Sequence, residues 1–197
     1  ELILQHSHFM FITIYGINNL GKTTQAKLLV ERLAREGYPG EYVKYPQYAL
    51  EPFGPLIDSY LRSGNPQGFS PREFQILNVL NRTQFEPGLK EKLAIGIHVV
   101  AEDYVGTGLA WGTGAGVDEA LLKTINSHLL KEDLAFYLHG QRFHDGVEKQ
   151  HIHEQNEKLI ERVSGVHEKL AKEYGWVAVN ANREQEVIHE EIWGIVK

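Results

Sequence analysis

The stretch Gly16-Ile17-Asn18-Asn19-Leu20-Gly21-Lys22-Thr23-Thr24 fits the pattern G-x-x-x-x-G-K-[ST], and no other feature narrows the fold of this chain as much. Its flanks carry different periodicities. Residues 10–15 are a short apolar, β-branched run that reads as a buried strand ended by Gly16. Over residues 22–36, Ala26, Leu29, Val30 and Leu33 recur at helical spacing until Gly37 and Pro39 stop the pattern. Strand, glycine-bearing turn and helix in that order let backbone N–H groups curl around a phosphate at a positive helix end. Gly16, Asn18, Asn19, Leu20, Gly21, Lys22, Thr23 and Thr24 are therefore the expected nucleotide contacts. Lys22 brings charge to the terminal phosphates, and the Thr23 hydroxyl offers a ligand to Mg²⁺. ATP with Mg²⁺ is the implied ligand; the motif does not name an acceptor.

The rest of the chain continues the alternation. Further strands are expected at 41–45, 97–101, 134–138 and 176–179, and helices at 56–61, 70–85, 89–93, 117–131, 148–174 and 184–196. Ser70, Pro71 and Glu73 form a helix-start signature. Residues 106–116 hold five glycines and read as a mobile loop, and 139–150 as a polar connector. Alternating strands and helices predict an α/β fold: a five-stranded parallel sheet flanked by helices in three layers.

Composition sets the bounds on function. At 197 residues one domain is expected, over 10–197, with residues 1–9 ahead of Met10 read as an N-terminal extension or an added remnant. With no cysteine, disulfide frameworks, iron–sulfur clusters and thiol nucleophiles are excluded. A net charge of -6 argues against a general affinity for nucleic acid polymers or anionic membranes. No apolar run approaches the roughly 20 residues of a membrane span, and an opening Glu1 is unlike a secretory leader, so the cytoplasm is the expected compartment.

Four more segments carry a likeness: Tyr45-Pro46-Gln47-Tyr48 with Gly54-Pro55-Leu56-Ile57, Leu80-Asn81-Arg82, Val99-Val100-Ala101-Glu102-Asp103-Tyr104, and Thr107 with Ala110-Trp111-Gly112. With the intact Gly21-Lys22-Thr23-Thr24-Gln25, the sequence over about residues 10–196 resembles the thymidylate kinase family of P-loop nucleoside monophosphate kinases. The resemblance implies a three-layer P-loop kinase that moves the γ-phosphoryl group of ATP onto dTMP, giving dTDP and ADP. It implies Lys22, Glu102 and Arg142 as the catalytic set, with Glu102 and Thr23 at the metal and Arg142 on a lid at 139–150. Arg82 would bond the thymine edge and Tyr104 would pack under the deoxyribose, with Tyr48, Asn78, Asp103 and Trp111 facing the acceptor. A homodimer is the assembly that it implies.

The departures from the family pattern cluster in this site. Asn18 stands where an acidic residue is usual, Asn19 replaces a glycine, and Tyr15 a glutamate. Two arginines that would grip the acceptor phosphate are Tyr48 and Asp103, an aromatic that would stack on thymine is Asn78, and a base-recognising glutamine is Gly112. A phosphate monoester needs paired positive donors. Three readings stay open: substitution by Arg62, Lys44 or Arg142; another nucleoside monophosphate or deoxynucleoside as acceptor; or an ATP-binding module without turnover. His144, His151 and His153 beside Glu154 suggest a metal, but i, i+2 positions do not share a helix face and the spacing is not that of zinc, so no metal is expected there.

Overall fold

The strand that enters the phosphate loop, β1 (Phe11–Tyr15), is buried along its whole length and so needs pairing on both edges and cover on both faces. In the computed structural model, which describes residues 9–143 and 156–197, it has both. Counting along the chain, β2 is Gly40–Lys44, β3 His98–Glu102, β4 Leu134–His139 and β5 Val177–Asn180. β1 pairs with β3 on one edge, Ile14 opposite Glu102, and with β4 on the other, Tyr15 opposite Tyr137. β2 and β5 complete a parallel sheet in the order β2-β3-β1-β4-β5. All carboxyl ends therefore point to one side, where a ligand crevice forms in open α/β sheets.

Helix α1 (Lys22–Arg35) leaves the phosphate loop and buries Ala26, Leu29 and Leu33 against the sheet. It packs with α7 (Gln185–Val196). The second layer is built from α3 (Pro71–Ala94), α4 (Val105–Gly114), α5 (Glu119–Asn126) and α6 (Glu157–Tyr174), with α4 touching the other three. α2 (Phe53–Arg62) leans on α3 through Ile57, Tyr60, Leu61 and Phe74. Among the described residues no helix is long and apolar enough to cross a membrane.

The element order follows the sequence expectation, with four differences. Residues 106–116 are not a mobile loop: α4 covers most of them. Its glycines are there because neighbours press on the helix from several sides. A Cβ would lie 2.5 Å from the Trp176 ring at Gly106, 2.6 Å from Leu122 at Gly112 and 2.6 Å from Val163 at Gly114. The expected break near residue 87 is also absent. α3 runs unbroken through Pro87, started by the reciprocal Ser70–Glu73 capping box and held by the full burial of Leu89. α5 is shorter than 117–131, ending at Asn126. α6 begins at Glu157 with Asn156 as its cap, and the first part of the helix expected from 148 lies outside the described residues, as do His144, His151 and His153.

His167 on α6 is fully buried, stacked on Tyr137 at 6.0 Å with Nδ1 3.0 Å from the Val163 carbonyl. Burial, aided by the charge of Lys22, pushes its imidazole down to about 3. The unfolded chain takes up this proton near pH 6.5 while the folded chain refuses it, so stability falls as pH drops from 6.5 toward 3. His167→Gln is expected to remove about 2 kcal/mol of the loss between pH 6.5 and 5, measured by urea denaturation at both pH values. Gly106→Ala is expected to lower the unfolding free energy by about 1–3 kcal/mol despite the better helix propensity of alanine, because the Trp176 and Tyr15 rings leave no room. A neutral or stabilising effect in the same urea titration would mean that α4 is not packed as described.

Candidate active site

The loop between β1 and α1 is bent by local conformation. Gly16 has φ +139, and a Cβ there would sit 2.5 Å from the Leu138 carbonyl oxygen at the end of β4, so only glycine lets the loop rest on its neighbour. Asn19 adopts the left-handed region at φ 61, as asparagine does at least cost. Gly21 caps α1 at φ 80 with no side-chain bond to the first turn, which leaves the helix N–H groups for a ligand. Lys22 is buried and folds back, its ammonium donating to the carbonyls of Gly16 and Ile17 at 2.9 Å each and standing 3.7 Å from Asp103.

The neighbouring strand supplies acid at the same level. Glu102 ends β3, and the Thr23 hydroxyl donates to its Oε2 at 2.6 Å. The Tyr42 hydroxyl donates to the same oxygen at 2.6 Å, and Lys44 lies 3.2 Å from Oε1. The β2–β3 register explains this: Lys44 is opposite Glu102, and Tyr42, two residues earlier, projects to the same face. Burial alone would raise the Glu102 carboxyl, but Lys22, Lys44 and the two hydroxyl donors outweigh it and hold it below its ordinary range. Asp103 is the opposite case. Burial and the Glu102 charge raise its carboxyl, against the pull of Lys22 and a hydrogen bond from Thr107. Of two adjacent carboxyls, Glu102 is the one poised to stay ionised. Thr23 and Glu102 together form a hard oxygen set, the chemistry that Mg²⁺ selects.

One cavity of about 370 Å³ joins these groups to the far end of the site. Of the residues expected at the nucleotide, Asn18, Asn19, Gly21, Lys22, Thr23 and Thr24 line it; Gly16 rests on β4 and the Leu20 side chain is buried in the core. Of those expected at the acceptor, Tyr48, Asn78, Arg82, Asp103, Tyr104 and Trp111 all line it, as does Glu102. Arg82 is buried and donates to Asn126 at 3.0 Å, while its Nε has no partner. Its guanidinium lies against α4 where Gly108 has no side chain; a Cβ there would come within 2.6 Å of Nη2. Asn78 turns its amide back to the Phe74 carbonyl. Tyr104 donates to the Leu130 carbonyl at 3.1 Å.

Arg142 stands beside the cavity rather than in its lining. Phe143, next to it, does line the cavity and donates its backbone N–H to the Asn19 carbonyl at 2.8 Å, tying the start of the expected lid to the phosphate loop. Nε and Nη2 of Arg142 are buried without a hydrogen-bond partner among the described residues. Residues 144–150 of the expected lid lie outside the described residues. The site also contains groups that sequence motifs did not single out. Tyr42, Gln75 and Phe143 belong to no recognised pattern, although the Tyr42-x-Lys44 alternation on an edge strand was a usable signal for Tyr42.

Comparison with known proteins agrees with this geometry. The family model for thymidylate kinase matches residues 14–192, which takes in both ends of the cavity. The chain belongs to the thymidylate kinase family. It is 30% identical over 187 residues to the human thymidylate kinase, covering 92% of this chain and 86% of the human one. With the thymidylate kinase of Plasmodium falciparum it shares 28% identity over 195 residues, covering 92% of this chain and 87% of the other. Among solved structures, the thymidylate kinase of Candida albicans superposes with a TM-score of 0.80 at 20% identity, covering 96% of this chain and 91% of that one. That of Ehrlichia chaffeensis gives 0.75 at 20% identity, with 96% and 98% covered. These two likenesses carry the fold.

Lys22→Ala is expected to weaken ATP binding about 10- to 100-fold by isothermal calorimetry, with the circular dichroism spectrum unchanged, because a charge-assisted donor is lost from a buried site. Undiminished affinity would exclude Lys22 from the triphosphate site.

Proposed function

We propose that this member of the thymidylate kinase family transfers the γ-phosphoryl group of ATP to dTMP, giving dTDP and ADP. The observation that carries the reading is the continuous cavity in which Lys22 and Thr23 at one end meet Arg82, Tyr104 and Trp111 at the other. Transfer between phosphate oxygens needs little covalent chemistry from the protein, so the residues act by positioning and charge. The loop amides and Lys22 hold the triphosphate. Thr23 and Glu102 would hold Mg²⁺, directly or through its waters, and the bound ion would neutralise triphosphate charge. Nε and Nη2 of Arg142, without a partner among the described residues, suit an anion approaching from the loop side.

At the acceptor end, Arg82 reads a base carbonyl with the donors that Asn126 leaves to it. Asn78 offers no ring to stack on a base. Phe74, one turn earlier on α3, and Trp111 on α4 both line the cavity and serve as its aromatic walls. Tyr104, pinned by its hydroxyl to Leu130, closes the sugar end. The family match runs through the donor and acceptor segments alike, and for that reason a kinase for another acceptor or a module without turnover is the less favoured reading.

A homodimer is proposed from the family resemblance, with the half-exposed Ile76 and Leu80 of α3 as apolar surface to cover. The cytoplasm is proposed as its compartment, in keeping with a cysteine-free chain. Coupled measurement of ADP formation with each nucleoside monophosphate and nucleoside in turn tests the activity. Turnover with dTMP well above that with every other acceptor is expected. ATP binding without turnover on any of them would overturn the reading.

A further inference from the structure

If the acceptor is a nucleoside monophosphate, its phosphate needs cations near the phosphate loop, and neither position 48 nor position 103 provides one. Among the described residues, four cations line the cavity: Lys22, Lys44, Arg62 and Arg82. Lys22 is engaged by two loop carbonyls, and Arg82 is buried against Asn126 at the base end. Two are left. Lys44 ends β2, 3.2 Å from Glu102, with its side chain 47% exposed. Arg62 ends α2, with its guanidinium 4.6 Å from the centre of the Tyr48 ring and paired with Asp58. The two meet at Tyr48. Lys44, Tyr48 and Arg62 line the same cavity; burial raises the Tyr48 hydroxyl, and the charges of Arg62 and Lys44 act on it in the opposite direction.

We infer that Lys44 and Arg62, which line the cavity together with Tyr48, form the binding site for the acceptor's phosphate monoester. The inference rests on the proposed reading of the acceptor as dTMP. Lys44 is paired with Glu102 and Arg62 with Asp58, and a phosphate carrying up to two charges and three acceptor oxygens competes well for both. Asp58 is 46% exposed and readily hydrated once released. When Lys44 turns to the phosphate, Glu102 keeps its bonds from Thr23 and Tyr42. Tyr48 is thus the platform for an arginine that arrives from α2 instead of from its own position.

The test compares dTMP with thymidine, which differ only in the phosphate. Calorimetric affinities are measured for both ligands with the wild type, Lys44→Met, Arg62→Met, the double variant and Lys44→Arg. The wild type is expected to prefer dTMP, and each Met variant to reduce that preference about tenfold or more. The double variant should bind the two ligands nearly alike, with thymidine affinity held within about twofold of wild type, and Lys44→Arg should recover most of the preference. A wild-type preference that persists in the double variant overturns the inference while leaving the proposed activity intact. A wild type that binds neither ligand overturns the proposed activity itself. Should the double variant melt without cooperativity, the single variants and Lys44→Arg decide on the same ratio.

Discussion

Parallel pairing on both edges of a fully buried central strand is the constraint on which the site depends. With β1 held between β3 and β4, three carboxyl ends are brought to one level. The phosphate loop leaves the first, Glu102 ends the second, and the Leu138 carbonyl near the end of the third supports Gly16 from beneath. The 2.6 Å bond between Thr23 and Glu102 crosses 79 residues of sequence, yet the register that aligns Ile14 with Glu102 makes it nearly unavoidable. Edge strand β2 then adds Tyr42 and Lys44 by simple alternation.

An acidic chain that binds two anions must do so with placed donors rather than bulk charge. The net charge is -6, yet among the described residues the cavity carries four cations and two acids, each tied to a named partner. Lys22 and Asp103 form the innermost pair, Lys44 and Glu102 the next, and Arg62 and Asp58 the rim. Such pairing keeps the cations from repelling one another in a partly dry pocket while leaving them exchangeable toward a phosphate.

The readings that held and those that did not divide by range. The phosphate loop was legible because its constraints are local: glycine at positive φ, a lysine and a threonine at the start of one helix. The sheet order followed from buried, β-branched runs alternating with helices. The 106–116 stretch was misread because five glycines look alike whether they loosen a loop or admit Trp176, Arg82, Leu122 and Val163 to within contact of a helix. The separate helices expected at 70–85 and 89–93 are one for a related reason, since the packing of α3 outweighs the local effect of Pro87. At position 78 asparagine stands where the family pattern has a ring, and Phe74, one turn away on the same helix, lines the same cavity.

By itself the sequence determined the fold class through periodicity and marked the phosphate loop through a short motif, and its family resemblance pointed to Arg82, Glu102 and Tyr104, which the fold brings to one cavity. Only the tertiary structure decided which of the candidate cations line the cavity. Lys44 reaches the site through strand register and Arg62 through the packing of α2 on α3. Neither is encoded within a motif, since a charge in a pocket is set by the distance between elements and not by spacing along the chain.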